Sequence, residues 1–269
     1  MQKLNLIHLE DSDIKYNIFK FPDGEIQISL EEFSRKDSVC VECRITNSEE
    51  LFILTQVIDI LDRQDVEYYI NIYYLMGMRM DRVMDFNRPF TLKVILQILN
   101  LSHASYIGVY EAHSDIVYSP RFGNKFYDLY VGNIYDKDIE DKYQVVFPDD
   151  GATKRYAGEF EEPIITCSKI REESTGKILG IKIDNSEKLN GKPLMIIDDL
   201  CDGGGTFCGI AECFRKIGIS KDKLNITVTH MVNPKGIENL SKNFNHVWFT
   251  NSYKDWKNLP ENVTMTKII

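Results

Sequence analysis

No stretch of this 269-residue chain reaches the ~18 consecutive apolar residues of a membrane span. Its N-terminus, MQKLNLIHLEDSD, lacks the apolar core of a secretory leader. Both absences set the expectation of a cytoplasmic protein with no membrane partner. Positive charge is also short: 32 Lys and Arg against 41 Asp and Glu leave a net charge of −9. Nucleic acid is therefore not expected as a partner, because affinity for a phosphate backbone needs a basic face. Any phosphate-bearing ligand must be met by a local site. The six cysteines are scattered through apolar stretches rather than set out as a secreted framework, so reduced thiols are expected. One C-x-x-C, Cys40 and Cys43, lies in the strand-like SVCVECRI without a second ligand pair, and neither zinc nor redox chemistry is expected of it. Low-complexity tracts are missing as well.

What is present is an alternation. Leu51, Leu54, Val57, Ile58 and Leu61 follow the helical period, and EYYINIYYL after them is rich in strand-favouring residues. The order repeats, with FTLKVILQILNL as a buried helix and SYIGVYEAH as a strand ending in polar groups. After the acidic NIYDKDIEDKYQ the same grammar restarts at VVFPDDGATKRYAGEF. This predicts an α/β protein of two domains, residues 1–140 and 141–269, each a mainly parallel sheet flanked by helices. Further strands are expected at PLMII, NITVTHMV and HVWFTNS, and a helix whose apolar face carries Phe207, Ile210, Ala211, Phe214 and Ile217.

The chemistry concentrates in IIDDLCDGGGTF, residues 196–207. A strand, a glycine turn and a helix start present free backbone N–H groups to an anion. No Lys-Ser/Thr follows the glycines, so this is not a Walker A loop. The acidic residues precede the glycines, so it is not a dinucleotide fingerprint either. Carboxylates accept hydrogen bonds and a sugar offers vicinal hydroxyl donors. If Gly203, Gly204, Gly205 and Thr206 hold a sugar phosphate, Asp198 and Asp199 stand where they can meet the ribose hydroxyls or a magnesium ion. The plainer alternative is a turn at Asp202-Gly203 and a helix cap at Thr206.

This segment resembles the phosphoribosyl-pyrophosphate (PRPP) loop of type I phosphoribosyltransferases and PRPP synthetases. Other stretches follow the synthetase order over most of the chain. FPDGEIQI is similar to the segment lining the ATP site, which gives Phe21, Asp23 and Glu25 that role; a hairpin turn at Asp23-Gly24 is the alternative. YYLMGMRMDR resembles the Tyr-Ala-Arg-Gln-Asp-Arg segment and assigns Arg79, Asp81 and Arg82 to ATP. VYEAHSD resembles the Asp-Leu-His segment, making His113 the magnesium-binding histidine. VVFPDDGATKR resembles the Pro-Asp-x-Gly segment, placing Asp149 at the ribose phosphate. CSKIREE resembles the Lys-x-Arg of the flexible catalytic loop, making Lys169 and Arg171 catalytic cations on a loop tip between PIITC and KILGIKI.

The resemblance implies two phosphoribosyltransferase-like domains, ATP on the first and the ribosyl phosphate on the second. It implies a Mg2+-dependent diphosphokinase that transfers pyrophosphate from ATP to the anomeric hydroxyl of ribose 5-phosphate and releases AMP, working as a homodimer or larger homo-oligomer. The sequence departs from the family in places. Gly203 stands where the loop usually carries threonine, Met80 where it has glutamine, and Glu111 where it has aspartate. The chain ends at NVTMTKII, where full-length synthetases continue into a C-terminal helix, which weighs against hexamers and allosteric control. The roomier turn at Gly203 opens an alternative acceptor, ADP-ribose, for use in NAD salvage. A phosphoribosyltransferase and a non-catalytic regulatory homologue are the remaining alternatives.

Overall fold

The computed structural model describes residues 1–123, 125–129, 139–161, 164–171 and 178–269. The chain divides into two compact units, Met1–Val131 and Gly132–Ile269. No helix among the described residues is long and apolar enough to cross a membrane.

In the first unit, strands β1 (Gln2–Asn5), β4 (Val39–Ile45), β5 (Tyr68–Leu75), β6 (Ile107–Val109) and β7 (Phe126–Asp128) form a parallel sheet in the order β1-β4-β5-β6-β7. The remaining strands of this unit, β2 (Tyr16–Lys20) and β3 (Ile26–Leu30), make a separate antiparallel hairpin. Helix α1 (Ser48–Arg63) starts where the Asn47 side chain accepts the Glu50 N–H, while Glu50 reaches back to the Thr46 N–H at 2.6 Å. These reciprocal bonds satisfy donors that a helix start leaves orphaned. The helix buries Ile53, Leu54, Val57, Ile58 and Leu61. Its Gln56 side chain accepts from the Ile28 N–H at 3.0 Å and donates to the Ile26 carbonyl at 2.9 Å, tying the hairpin down. Helix α2 (Thr91–Asn100) buries one face only: Leu92, Ile95, Leu96 and Leu99 are covered, whereas Val94 is 49 % exposed.

The second unit opens with the short helix α3 (Ile139–Lys142) and strand β8 (Gln144–Phe147), followed by α4 (Asp150–Tyr156), β9 (Ile165–Arg171) and β10 (Ile178–Ile183). Then come β11 (Leu194–Cys201), α5 (Gly205–Lys216), β12 (Leu224–Met231), α6 (Pro234–Asn243), β13 (His246–Thr250) and β14 (Val263–Thr266). The sheet order is β10-β9-β8-β11-β12-β13-β14, parallel except for the β9/β10 pair. Strand β12, covered by neighbours on both sides, is buried along its whole length, its polar Asn225, Thr227, Thr229 and His230 included. Helix α5 packs Phe207, Ile210, Ala211 and Phe214 into the core, each aromatic contributing about 1.5–3 kcal/mol by leaving water. Ile217, expected on that face, is 50 % exposed because the helix ends at Lys216.

The expected loop-tip placement of the catalytic cations is corrected here. Lys169 lies on β9, with Ile181 of β10 as its partner, and not on a loop tip. Arg171 is the last residue of that strand, and its side chain lies outside the described residues. Cys40 and Cys43 are buried free thiols three positions apart on β4, so the pleat sends them to opposite faces. Burial, followed by the nearby Glu42 charge, pushes the Cys40 thiol up to about 11.

Candidate functional site

In the second unit the chain reverses its direction of travel across the sheet. From β8 it moves through α4 to β9 on one side, and from β11 through α5 to β12 on the other. The crevice outside the carboxyl ends of β8 and β11 is thus a topological switch point, the place where open α/β sheets put ligands. Asp149 follows β8, while Asp198 and Asp199 lie in the C-terminal half of β11 just before the turn 202–204.

Asp149 caps α4. Its Oδ1 accepts the N–H groups of Gly151 and Ala152 at 3.0 and 3.2 Å, and its Oδ2 pairs with Lys169 Nζ at 2.8 Å. Burial alone would raise this carboxyl, but the Lys169 ammonium and the two amides outweigh it and hold Asp149 below the ordinary aspartate value. Asp198 goes the other way. Burial, the negative charges of Asp199 and Asp149, and a hydrogen bond shared with Asp199 raise its carboxyl well above the ordinary value. Asp199 is 4 % exposed and lies 3.8 Å from the Arg155 guanidinium, which also stands over the Tyr156 ring. The site therefore holds three carboxylates with two cations facing them. Arg155 was not singled out by the sequence, because nothing local marks a residue on α4 as the counter-charge of one on β11.

The turn between β11 and α5 separates the roles of its glycines. Only Gly204 is left-handed, with φ +77°. A Cβ on Gly203 or Gly205 would meet nothing within 4 Å. Neither is required to be glycine by backbone conformation or by crowding; both leave room. With Gly204 at its N-cap, α5 begins without a side-chain hydrogen bond from its capping residue. Thr206 is in the first turn of α5 and half-buried. The Asp202 carboxylate accepts from Asn233 Nδ2 at 2.9 Å, and the Gly203 carbonyl accepts from Asn239 Nδ2 at 2.7 Å. Neither asparagine stood out in the sequence.

The candidate nucleotide residues of the first unit occupy loops. Phe21, Asp23 and Glu25 sit at the β2–β3 turn: Gly24 has φ +98°, Phe21 and Glu25 are bonded at 2.7 Å, and Asp23 Oδ1 accepts the Glu25 N–H at 3.0 Å. The hairpin alternative is thus present in the geometry, and the Phe21 ring, 42 % exposed, stands 4.9 Å edge-on to Phe19. Arg79 and Arg82 are exposed after β5. The Asp81 carboxylate receives Arg82 in a two-point contact at 2.7 and 3.0 Å and the Ser114 hydroxyl at 2.9 Å. The Arg82 bond, with Ser114 assisting against burial, holds Asp81 below its ordinary value. Beside Ser114, the His113 N–H donates to Met78 Sδ at 3.4 Å. Asp81 thus clasps the arginine segment to the histidine segment. Glu111, two residues before His113, has φ +45°, a strained conformation for a non-glycine residue.

Among the described residues no three His, Cys, Asp or Glu side chains converge as a metal cage. Magnesium, however, usually takes one or two carboxylates and the phosphates of its substrate. The oxygen donors of Asp198 and Asp199 suit that mode within the second unit, and the ring of His113 is a candidate ligand within the first.

No protein-family model matches the chain. It is 27 % identical over 262 residues to a ribose-phosphate pyrophosphokinase of Pyrococcus abyssi, covering 92 % of this chain and 85 % of that protein. A ribose-phosphate pyrophosphokinase of Bacillus caldolyticus is 27 % identical over 274 residues, covering 95 % and 82 %. The fold matches the crystal structure of phosphoribosylpyrophosphate synthetase from Mycobacterium smegmatis with a TM-score of 0.78 at 19 % identity, over all of this chain and 95 % of the other. A strand–glycine-turn–helix thus stands at the switch point of one sheet, and the chain is similar nearly end to end to ribose-phosphate pyrophosphokinases and shares the fold of a PRPP synthetase.

Proposed function

We propose that this protein is a diphosphokinase that transfers pyrophosphate from Mg-ATP to the anomeric hydroxyl of a ribose 5-phosphate moiety. The observation that carries this reading is the meeting of Asp149, Asp198, Asp199 and Lys169 beside an uncapped helix start. A phosphoribosyltransferase would need the turn and the carboxylates, but not the cation held 2.8 Å from Asp149. The names of the relatives support the same activity.

In this reading the anomeric oxygen forms a bond to the β-phosphorus, the bond from that phosphorus to the bridging oxygen of AMP breaks so that AMP leaves, and the hydroxyl proton passes to water. Little covalent help is needed, so alignment and charge neutralisation dominate. The turn 203–206 binds the sugar phosphate, and Asp198 and Asp199 orient the ribose hydroxyls. Lys169 exchanges Asp149 for the triphosphate and, with Arg171, meets the charge that moves to the leaving AMP. Phe21 packs on the base, Asp23 and Glu25 complete its rim, and Arg79 and Arg82 meet phosphate oxygens. His113 would hold the magnesium ion, which would supply charge neutralisation for the substrate phosphates. A homo-oligomer is part of the reading and is tested by light scattering.

The deciding measurement is AMP release from Mg-ATP with ribose 5-phosphate, and mass spectrometry for a product heavier by one pyrophosphate. Consumption of PRPP and a base with ATP untouched would move the protein to the phosphoribosyltransferases. Unchanged activity in Lys169→Ala would remove that residue from the chemistry.

A second reading rests on Gly203. Open space around its Cβ position means that a threonine would fit there, so the glycine removes a hydroxyl donor without a steric reason. A terminal phosphate monoester gains from every donor, whereas a phosphodiester needs an open exit. ADP-ribose is the acceptor this favours. Turnover with ribose 5-phosphate equal to or better than with ADP-ribose would exclude it.

A further inference from the structure

The turn that binds phosphate in the reading above is shaped from outside by the following helix, α6. A Cβ on Gly236 would lie 2.1 Å from the Asp202 carbonyl oxygen, so that carbonyl is packed directly against the α6 backbone. Cys201 Sγ lies 3.5 Å from the same oxygen. One residue on, Asn239 Nδ2 holds the Gly203 carbonyl at 2.7 Å, and Asn233, the N-cap of α6, holds the Asp202 carboxylate at 2.9 Å. Leu240 stands 3.4 Å from where a Cβ on Gly204 would be. Asn239 is itself fixed, since its carbonyl accepts from Asn243 Nδ2 at 2.9 Å.

A peptide group is planar, with its C=O and N–H pointing in opposite directions. Turning the Asp202 carbonyl in against α6 therefore turns the Gly203 N–H outward. Three successive glycines would otherwise be the most mobile part of the site, because glycine has the most conformational freedom to lose on ordering. Ligand binding to a mobile turn is weakened by the cost of ordering it.

We propose that Asn239, Gly236 and Asn233 are positioning residues that pre-shape the 202–204 turn and aim its backbone donors at the phosphate of the acceptor. The proposal rests on the assignment of that turn to a sugar phosphate. It concerns residues that the likeness to the family does not assign.

The test compares wild type with Asn239→Ala and Gly236→Ala by equilibrium titration with ribose 5-phosphate and, in parallel, ADP-ribose. Steady-state kinetics and thermal melting accompany it. Losing the Asn239 donor should weaken binding of the acceptor about three- to tenfold, the range of one net hydrogen bond. Gly236→Ala, which must displace the Asp202 carbonyl, should weaken it more. The KM for the acceptor should rise in both while the KM for ATP stays within about twofold. Unchanged acceptor affinity in both variants would overturn the proposal. So would a parallel loss of ATP affinity and melting temperature, the signature of a merely structural role. Binding decides the matter independently of turnover: a wild-type protein that binds the acceptor yet releases no AMP would refute the proposed reaction and not the brace. A double variant, Asn233→Ala with Asn239→Ala, that remains folded and loses no affinity would likewise refute it.

Discussion

The two units carry their candidate residues in opposite ways. In the second unit the charges are already paired and the turn is already braced: Lys169 is on a strand against Asp149, Arg155 faces a buried Asp199, and α6 holds the glycine turn. In the first unit Phe21, Asp23, Glu25, Arg79 and Arg82 stand on exposed loops, beside a run in which Val83 is 62 % and Met84 72 % exposed. In the proposed reading one half is built in advance and the other relies on exposed loop groups. Preorganised sites hold charge at low reorganisation cost, whereas loop sites adapt and pay in ordering.

The largest expected effect breaks the prebuilt half. Lys169→Ala should lower kcat by about 10²–10³-fold, the scale of losing one aimed electrostatic group, in a steady-state assay of AMP release. It also leaves Asp149 without its nearest cation, so a loss confined to stability with normal turnover would show that the pair serves the fold alone.

Asp198→Asn comes next, and it separates function from stability. Activity should fall by about 10²-fold if the carboxylate meets substrate or magnesium. The melting temperature should rise, by about 2–4 °C if ~1 kcal/mol of repulsion is relieved. The sign follows from proton linkage. Because the folded-state carboxyl of Asp198 is raised, the folded protein binds more protons than the unfolded chain, and this group's contribution to stability falls as pH rises from the ordinary aspartate value through the raised one. Asp149 is depressed, so its contribution is present above the ordinary value and is lost as pH falls through the lower one. Thermal melts across pH should show the asparagine variant losing the first dependence and keeping the second. A lower melting temperature at neutral pH would contradict the assignment.

In the adaptable half, Arg82→Ala should raise the KM for ATP by about tenfold, as expected for a charge-assisted contact, with the acceptor KM unchanged. Equal changes in both constants would deny the division of labour between the units. The smallest effect is expected of Gly203→Thr. Its Cβ has open space and its backbone is not left-handed, so melting should move by less than about 1 °C. The added hydroxyl should lower the KM for ribose 5-phosphate a few-fold relative to ADP-ribose; no change in that ratio would remove Gly203 from acceptor choice.

Much of this was readable from local pattern. The helical spacing of Leu54, Val57, Ile58 and Leu61, and of Phe207, Ile210, Ala211 and Phe214, identified buried faces correctly. The strand–glycine-turn–helix was legible because a left-handed turn and an uncapped helix start leave a short-range signature. Errors arose where a helix stopped or a strand extended: Ile217 lies past the end of α5, and β9 runs on to include Lys169. Strand pairing with β10 decided the second case, and a polar S-K-I-R run does not announce it.

The alternation of elements, the acidic balance and the residues at the strand ends follow from period, composition and local backbone preference, and so could be read along the chain. Which charges meet, and what shapes the turn, came from the packing of distant segments. Arg155 reaches Asp199 across 44 positions of chain, and Asn239 reaches Gly203 across 36. Such contacts come from the order of strands in the sheet and the docking of α6, which fold together residues that no local pattern connects.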